Sequence, residues 1–465
     1  MAKHKLAVAL LATSFLTGAA SAATLDVAMD TSPAGLDPHL VTAFNSVLIV
    51  QSNIYQGLTD TTAGLQVVPN LADSWEISAD GLTYTFKLHA GVTFHDGSTF
   101  DAEDVAASIR RVQSTEIASP LASRISPITG IEVLDPLTVR FTLNAPFAPL
   151  LSSLAGIAIV PAEAETNKEA LQQVPVGTGP FKFAEWQPNG FISLVKFDGY
   201  REAGKPHVDE VKFHFVPEAA TRQVGLASGE YDMLPSIDPA TALQLQGQPG
   251  ITVHQTRDLG YTLVGMNVTR GPLGDARVRE AVNMLLDRQE IIDGALFGSG
   301  VPGGPLSPAL VDWALPTSEY ACYTQNVDGA KALLAAAGVT GPVKIVMKVL
   351  PRQDTRDIAQ VVQQQLAAGG FEVELVNQEI GQFVTNVFKY DDAGLNALLD
   401  TGRNVTDPAA RKAAYDAAQR QLACTGPIAH IAYGALSTAT GPNVSGFEIN
   451  PLGRLTSLVD VTLAK

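Results

Sequence analysis

The sequence predicts an exported α/β protein of several domains with at least one partly parallel sheet, and three patterns predict it. The chain opens on an apolar stretch too short to span a membrane. Further on, period-two runs alternate with helical-period runs. Between residues 343 and 376 that alternation takes the strand, helix, strand order of a parallel unit. With 465 residues, 46% of them hydrophobic, the chain can bury more than one core.

Residues 1–22 read as a cleavable signal peptide. Lys3, His4 and Lys5 make a basic start, residues 6–16 an apolar stretch, and Ala20-Ser21-Ala22 the small-residue pattern a signal peptidase accepts. The cut is expected between Ala22 and Ala23. An anchor would need about 20 apolar residues, whereas small and polar residues follow here. The most apolar later segment, residues 150–160, is short, bracketed by Pro149 and Pro161, and reads as core.

Leu82, Tyr84, Phe86 and Leu88 alternate with polar or small residues, as a half-buried strand requires. A helix follows from Asp101, whose carboxylate can accept from the first-turn N–H groups while Asp104 completes a box-like cap. Val105, Ile109 and Val112 mark its apolar face. Residues 138–143 form a second strand with Val139, Phe141 and Leu143 on one side. Asp275 caps the clearest helix, expected over residues 275–297, with Val278, Ala281, Val282, Leu285 and Leu286 on one stripe and Gly298 at its end. Residues 343–349, 355–368 and 371–376 then make a βαβ unit with parallel strands. Asp407-Pro408 opens a last helix, where proline's missing N–H has no partner to lose.

Acidic residues outnumber basic ones, 47 to 31, for a formal charge of −16, and loss of Lys3 and Lys5 with the leader makes the mature chain more acidic still. Such a surface repels nucleic acid and anionic lipid, so neither is an expected partner; the acidity serves solubility. Cys322 and Cys424 are the only cysteines; in an oxidising compartment they can pair or stay apart, and without CxxC spacing they form neither a metal site nor a redox motif.

Catalytic signatures fail one by one. Residues 298–303 match GxGxxG, but a helix precedes them and Pro302 and Pro305 block the helix that would hold a pyrophosphate. Gly177-Thr178-Gly179 fails likewise before Pro180. There is no GxSxG elbow, Walker lysine loop or HExxH, and histidines 39, 89, 95, 207, 214, 254 and 430 lack ligand spacing. No metal or cofactor is expected. Carboxylates are plentiful without any pair standing out, so a secreted hydrolase stays as the weaker alternative.

A longer pattern carries more information. Leu71-Ala72-Asp73-Ser74-Trp75-Glu76, Asp80-Gly81-Leu82-Thr83-Tyr84-Thr85-Phe86, Gly91-Val92-Thr93-Phe94-His95-Asp96-Gly97 and Ala102-Glu103-Asp104-Val105 together resemble the signature of family 5 extracellular solute-binding proteins, the peptide and nickel binders of ABC importers. Leu36-Asp37-Pro38, Tyr55-Gln56-Gly57-Leu58, Gly177-Thr178-Gly179-Pro180-Phe181, Asp275-Ala276-Arg277-Val278-Arg279 and Asn443-Val444-Ser445-Gly446-Phe447 follow in the family's order.

The resemblance implies a two-lobed periplasmic-binding-protein fold of the class II, large peptide-binder type, with mixed sheets and an extra subdomain on lobe one. On that analogy lobe one takes residues 23–66, 176–266 and the tail 443–465, the subdomain residues 67–175, and lobe two residues 267–442. Gly177-Thr178-Gly179 becomes a re-entry turn. The implied role is capture of a peptide-like solute between the lobes by a monomer, and delivery to an ABC permease and its ATPase subunits at the inner membrane. Nickel, opine and glutathione binders of the same fold are alternatives.

Arg352 stands one residue from where dipeptide binders carry an arginine for the solute carboxylate; otherwise it is a surface arginine. Ser32, Tyr55, Tyr261 and Asn267 fall beside the family's cleft loops, with core as the competing reading for both tyrosines. The tryptophan-containing segment that holds the amine-binding aspartate is missing around residues 388–394, which implies either another solute or an impaired second lobe. The first cysteine is Cys322, so no lipid can be attached at the cleavage site, and the expected location is the periplasm.

Overall fold

The structure, a computed structural model, describes residues 22–51, 53–350, 352–378 and 390–464. Residues 1–21 of the expected leader, and Phe388 and Lys389 at the expected deletion, lie outside the described residues. The largest sheet has eight strands. Its order is Thr252–Gly265, Ile428–Thr440, Met233–Ile237, Thr24–Met29, Glu210–Phe215, Phe191–Lys196 and Phe181–Gln187, with Val301–Pro302 paired to Ile428–Thr440 off this path. Thr24–Met29 lies parallel to Glu210–Phe215 over its whole length. Leu25 and Val27 are wholly buried there, so this first strand is fixed in the middle of the sheet.

Between those two strands the chain makes a separate unit. Ala72–Ile77, Thr83–Leu88, Thr138–Leu143 and Ile128–Asp135 form an antiparallel sheet, covered by the helix Ala102–Gln113. Tyr84, Phe86, Val139, Phe141, Val105, Ile109 and Val112 share its core. The cap forms as expected: Asp101 accepts from the Glu103 N–H and Asp104 from the Asp101 N–H, both at 2.8 Å. Asp104 also accepts from the Ala162 N–H at 2.9 Å. Residues 150–160 pack as core, with Leu150, Ile157 and Val160 wholly buried.

One buried cluster ties this unit to the large sheet. Arg111 is 0% exposed and grips Asp37 with both guanidinium nitrogens, at 3.0 and 2.5 Å. It also donates to the Ala164 carbonyl at 2.9 Å and to Nδ1 of His39 at 3.0 Å, while His39 Nε2 donates to Ala158 O. Burial, then Arg111, hold the His39 pKa down at about 4, so the ring is neutral and can accept from the arginine. Each charge is paired and each polar atom bonded, as a buried ion pair requires.

The next part of the chain builds a core around Val278, Val282, Ile291, Ile292, Val362 and Leu366. The helix expected over 275–297 is two, Ala276–Leu285 and Arg288–Ala295. Leu286 turns extended and the Asp287 carboxylate accepts from the Glu290 N–H at 3.0 Å, opening the second. An internal N-cap outweighs the continuous apolar stripe. The βαβ unit forms over Val343–Val349, Gln353–Ala368 and Phe371–Asn377, with parallel register from Val343↔Phe371 to Val349↔Asn377. Asp407 caps Pro408–Thr425. A disulfide joins Cys322 to Cys424, with Cα atoms 5.7 Å apart.

Candidate binding site

Two long antiparallel strands, Thr252–Gly265 and Ile428–Thr440, connect the cores. At one end Val253 and Ala439 pack with Ile237 and Leu245; at the other, Val264, Ala429 and Ile431 pack with Val278 and Val282. Their register shifts between Arg257 and Tyr261, and again between Thr262 and Leu263. Asp258 folds the first break into a local turn, its carboxylate accepting from the Gly260 N–H at 2.9 Å. Residues left out of a ladder bend and twist the strand, so the connection is least regular at its middle.

The opposite edge of Ile428–Thr440 is interrupted at the same level. Met233–Ile237 pairs with it as far as Ile237↔Ser437, and Val301–Pro302 takes up at Val301↔Tyr433. Gly434, Ala435 and Leu436 have no strand partner on that edge among the described residues. A cavity of ≈ 280 Å³ sits there, lined by Gln255, Thr256, Arg257, Gly300, Val301, Gly434 and Ala435. A Cβ on Gly434 would meet nothing within 4 Å, so even this small side chain would project into open space. Polar main chain, a vacant strand edge and a concave wall thus coincide.

Glycines shape the wall. Gly300 has φ +133°, and a Cβ there would lie 2.8 Å from the Tyr433 carbonyl. A Cβ on Gly303 would strike the Tyr433 ring at 2.2 Å, and Tyr433 donates its hydroxyl proton to Gly304 O at 2.9 Å. The GxGxxG run therefore serves close packing against one tyrosine. Beneath it, Arg288 donates to the His430 carbonyl at 2.7 Å and to Asn283 Oδ1 at 2.8 Å, its guanidinium 3.4 Å from the centre of the Tyr323 ring. Burial and then Arg288 lower the His430 pKa to about 4, and its Nδ1 has no hydrogen-bond partner among the described residues. Tyr323 follows Cys322, so the disulfide, the aromatic ring and the arginine form one brace behind the second long strand.

Among the described residues, no hydrogen bond, ion pair or ring contact joins any two of the five residues singled out from sequence. Tyr261 is on the first long strand, 49% exposed, its ring 5.6 Å from His430 and 5.9 Å from Tyr433. Tyr55 is wholly buried with Leu48, Ile49 and Ile54, which is the core reading; burial raises its pKa. Ser32 is partly exposed, with its hydroxyl oxygen buried and unbonded among the described residues. Asn267 uses its side-chain oxygen on the N–H and hydroxyl of Thr269, at 3.0 and 2.8 Å. Arg352 is 71% exposed in its side chain and paired with Asp354 at 2.6 Å.

Arg257 and Gly434, which line the cavity, are not among the residues singled out from sequence. A lone glycine within the apolar run 428–440 was the available signal, since it marks a bulge or a close backbone approach. Nothing local marks Arg257, which faces the cavity only because residues some 180 positions away complete it. The turn at Gly177-Thr178-Gly179 has a packing cause instead. A Cβ on Gly177 or Gly179 would lie 2.1 or 2.4 Å from the carbonyls of Ile54 and Asn53. His95 clasps the same turn, accepting from the Gly177 N–H at 3.3 Å and donating to Gly179 O at 3.0 Å.

The family model described as bacterial extracellular solute-binding proteins, family 5 Middle, matches residues 66–416. The glutathione-binding protein GsiB of Pectobacterium atrosepticum is 31% identical over 366 residues, covering 78% of this chain and 70% of that one. The dipeptide-binding protein of Escherichia coli is 30% identical over 413 residues, covering 82% and 76%. Among solved structures, AgaA of A. tumefaciens R10 in complex with agropinic acid superposes with a TM-score of 0.78 at 26% identity, covering 95% of this chain and 99% of that one. DppA of Helicobacter pylori with the peptide STSA gives 0.77 at 25%, covering 95% and 98%.

Proposed function

The chain belongs to the family 5 bacterial extracellular solute-binding proteins of ABC importers, and we propose that its solute is peptide-like and is held at the middle of the two long paired strands. The observation that carries this is the unpartnered edge at Gly434, Ala435 and Leu436 beside the ≈ 280 Å³ cavity. An extended peptide-like solute completes such an edge with its own amide groups, which reward main-chain geometry ahead of side-chain identity. Its binding needs no chemistry.

In this reading residues 23–66, 176–266 and 443–465 form lobe one, residues 67–175 its subdomain, and residues 267–442 lobe two. The long strands are the crossovers, and their register breaks are the points where the lobes rotate. Contacts between residues outside the crossovers, such as the Ala148 N–H to Arg403 O at 2.9 Å and Gln66 Nε2 to Asp312 Oδ2 at 3.1 Å, support a closed form. Solute that touches both lobes favours that form by its differential affinity. The closed protein then docks on its permease, whose ATPase subunits do the work. Residues 1–22 direct export and are removed, and the mature protein works unanchored in the periplasm as a monomer. The sequence lacks the tryptophan-containing segment of dipeptide binders around residues 388–394, which supports either a solute unlike theirs or an impaired second lobe.

Thermal shift and calorimetry against dipeptides, tripeptides, glutathione, opines and nickel, with mass spectrometry of each mixture afterwards, test the proposal. A peptide-like compound that raises the melting temperature and is recovered unchanged supports it. Turnover of that compound by the purified protein, or a response to nickel alone, overturns it.

A further inference from the structure

We infer that Arg257 holds a free carboxylate of the solute and so sets the preference of this site for acids. The inference rests on the paired-strand site proposed above and adds its charge requirement. Arg257 lines the cavity, and none of the other six lining residues is acidic. Its one side-chain hydrogen bond among the described residues runs from Nη1 to the Pro308 carbonyl, at 3.3 Å. That bond orients the guanidinium while most of its five donors stay available, and a planar fork of that kind matches a carboxylate.

Two further observations favour this arginine over the one the sequence suggested. Arg352 already has a carboxylate, with Nε at 3.2 Å and Nη2 at 2.6 Å from Asp354. The chain as a whole carries a formal charge of −16, so an anionic solute gains nothing from the overall field and needs a local cation at its site. Arg257 supplies that cation directly beside Gly434, whose missing side chain leaves the space for the solute backbone. At ≈ 280 Å³ the cavity accommodates about one residue-sized group, so the carboxylate and the nearest amide of the solute fall within it together.

The test uses alanylalanine, alanylleucine and trialanine, each as the free acid and as the C-terminal amide, titrated calorimetrically into the mature protein, R257Q and R352Q. At least one acid is expected to bind the unaltered protein on the order of tenfold or more tighter than its amide, the scale of a charged hydrogen bond. R257Q should bring acid and amide to equal affinity, while R352Q keeps the preference. Because the acid-to-amide ratio is read within one variant, a change in folded fraction does not mimic the result. Equal binding of acid and amide by the unaltered protein, or a preference kept in R257Q, overturns this inference and leaves the peptide-like reading standing. Failure of all six compounds to bind overturns this inference, and the peptide-like reading falls with it when glutathione and the opines fail to bind as well.

Discussion

The four-stranded unit and the long paired strands are both antiparallel sheet, yet they differ in how completely they satisfy themselves. In the unit, the two central strands Thr83–Leu88 and Thr138–Leu143 pair without a break, the register shifts being confined to its outer ladders, and the helix over them carries a complete cap. Its one buried arginine has a carboxylate, two carbonyls and a histidine. In the long paired strands the ladder shifts twice, three residues lack a partner on one edge, and His430 keeps an unbonded ring nitrogen. Both kinds of region are ordered by burial, so the difference is one of purpose. Where the buried polar groups are matched, as around Arg111, the chain is a fixed frame; where main-chain groups stay unmatched beside a cavity, a ligand can supply the match.

That contrast can be broken from either side. The largest effect should come from Arg111→Ala, which leaves Asp37 buried without its counter-charge; a loss of about 3–5 kcal/mol is expected in urea unfolding. A loss under about 1 kcal/mol would show that the cluster is not what ties the unit to the large sheet. Gly303→Ala pushes a methyl group into the Tyr433 ring and should cost about 1–3 kcal/mol while also weakening solute binding, because the cavity wall moves with it. Unchanged stability and affinity would mean that the loop yields freely.

Acid sharpens the comparison because buried histidines occur in both regions. Folding holds His39, His95 and His430 at a pKa of about 4, burial being the main cause, against 6.5 in the unfolded chain. The folded state therefore binds fewer protons between those values. Stability is complete above about pH 6.5 and falls toward pH 4, by at most about 1.4 kcal/mol per pH unit for each histidine. Asp104 opposes this: burial raises its pKa to about 6, so its own contribution grows as pH drops from about 6 toward 4. Burial also raises Asp60 and Asp232, which act with Asp104, and lowers His254, which acts with the other histidines. The large shifts, three histidines against one carboxylate, predict a net loss on acidification, measured as the urea midpoint at pH 7 and pH 5. A rising midpoint would contradict neutral, buried rings.

The smallest stability effects should fall at the proposed site itself. Gly434→Val fills open space beside the vacant edge, so unfolding should shift by no more than about 0.5 kcal/mol. Solute affinity should nevertheless fall about tenfold or more. Arg352→Gln, at an exposed pair, should change neither. Equal losses of stability and affinity at Gly434 would make it another piece of frame.

What could be read from sequence follows the same division. The box at Asp101 and Asp104, the strand with Tyr84 and Phe86, and the βαβ unit from Val343 are local patterns whose cause lies within a few residues. The division of the 275–297 helix was also legible, in Asp287 three residues before Glu290, but the apolar stripe masked it. The proposed site is not legible in this way. Ser32, Tyr55, Asn267 and Arg352 were placed by analogy, and their side chains are spent on the core, a turn or a neighbouring aspartate, or lie apart from the cavity. Arg257 and Gly434 become a site only when strands about 180 residues apart fall into register, with a break that no local pattern encodes.

Amide hydrogen exchange across residues 428–440, with and without a bound peptide-like solute, tests the central claim most directly. Solute should slow exchange at whichever of Ala435 and Leu436 points its N–H away from the first long strand, well beyond any change in the frame strand Thr83–Leu88. Unchanged exchange at that amide, with protection arising elsewhere, would contradict the placement of the solute on this edge.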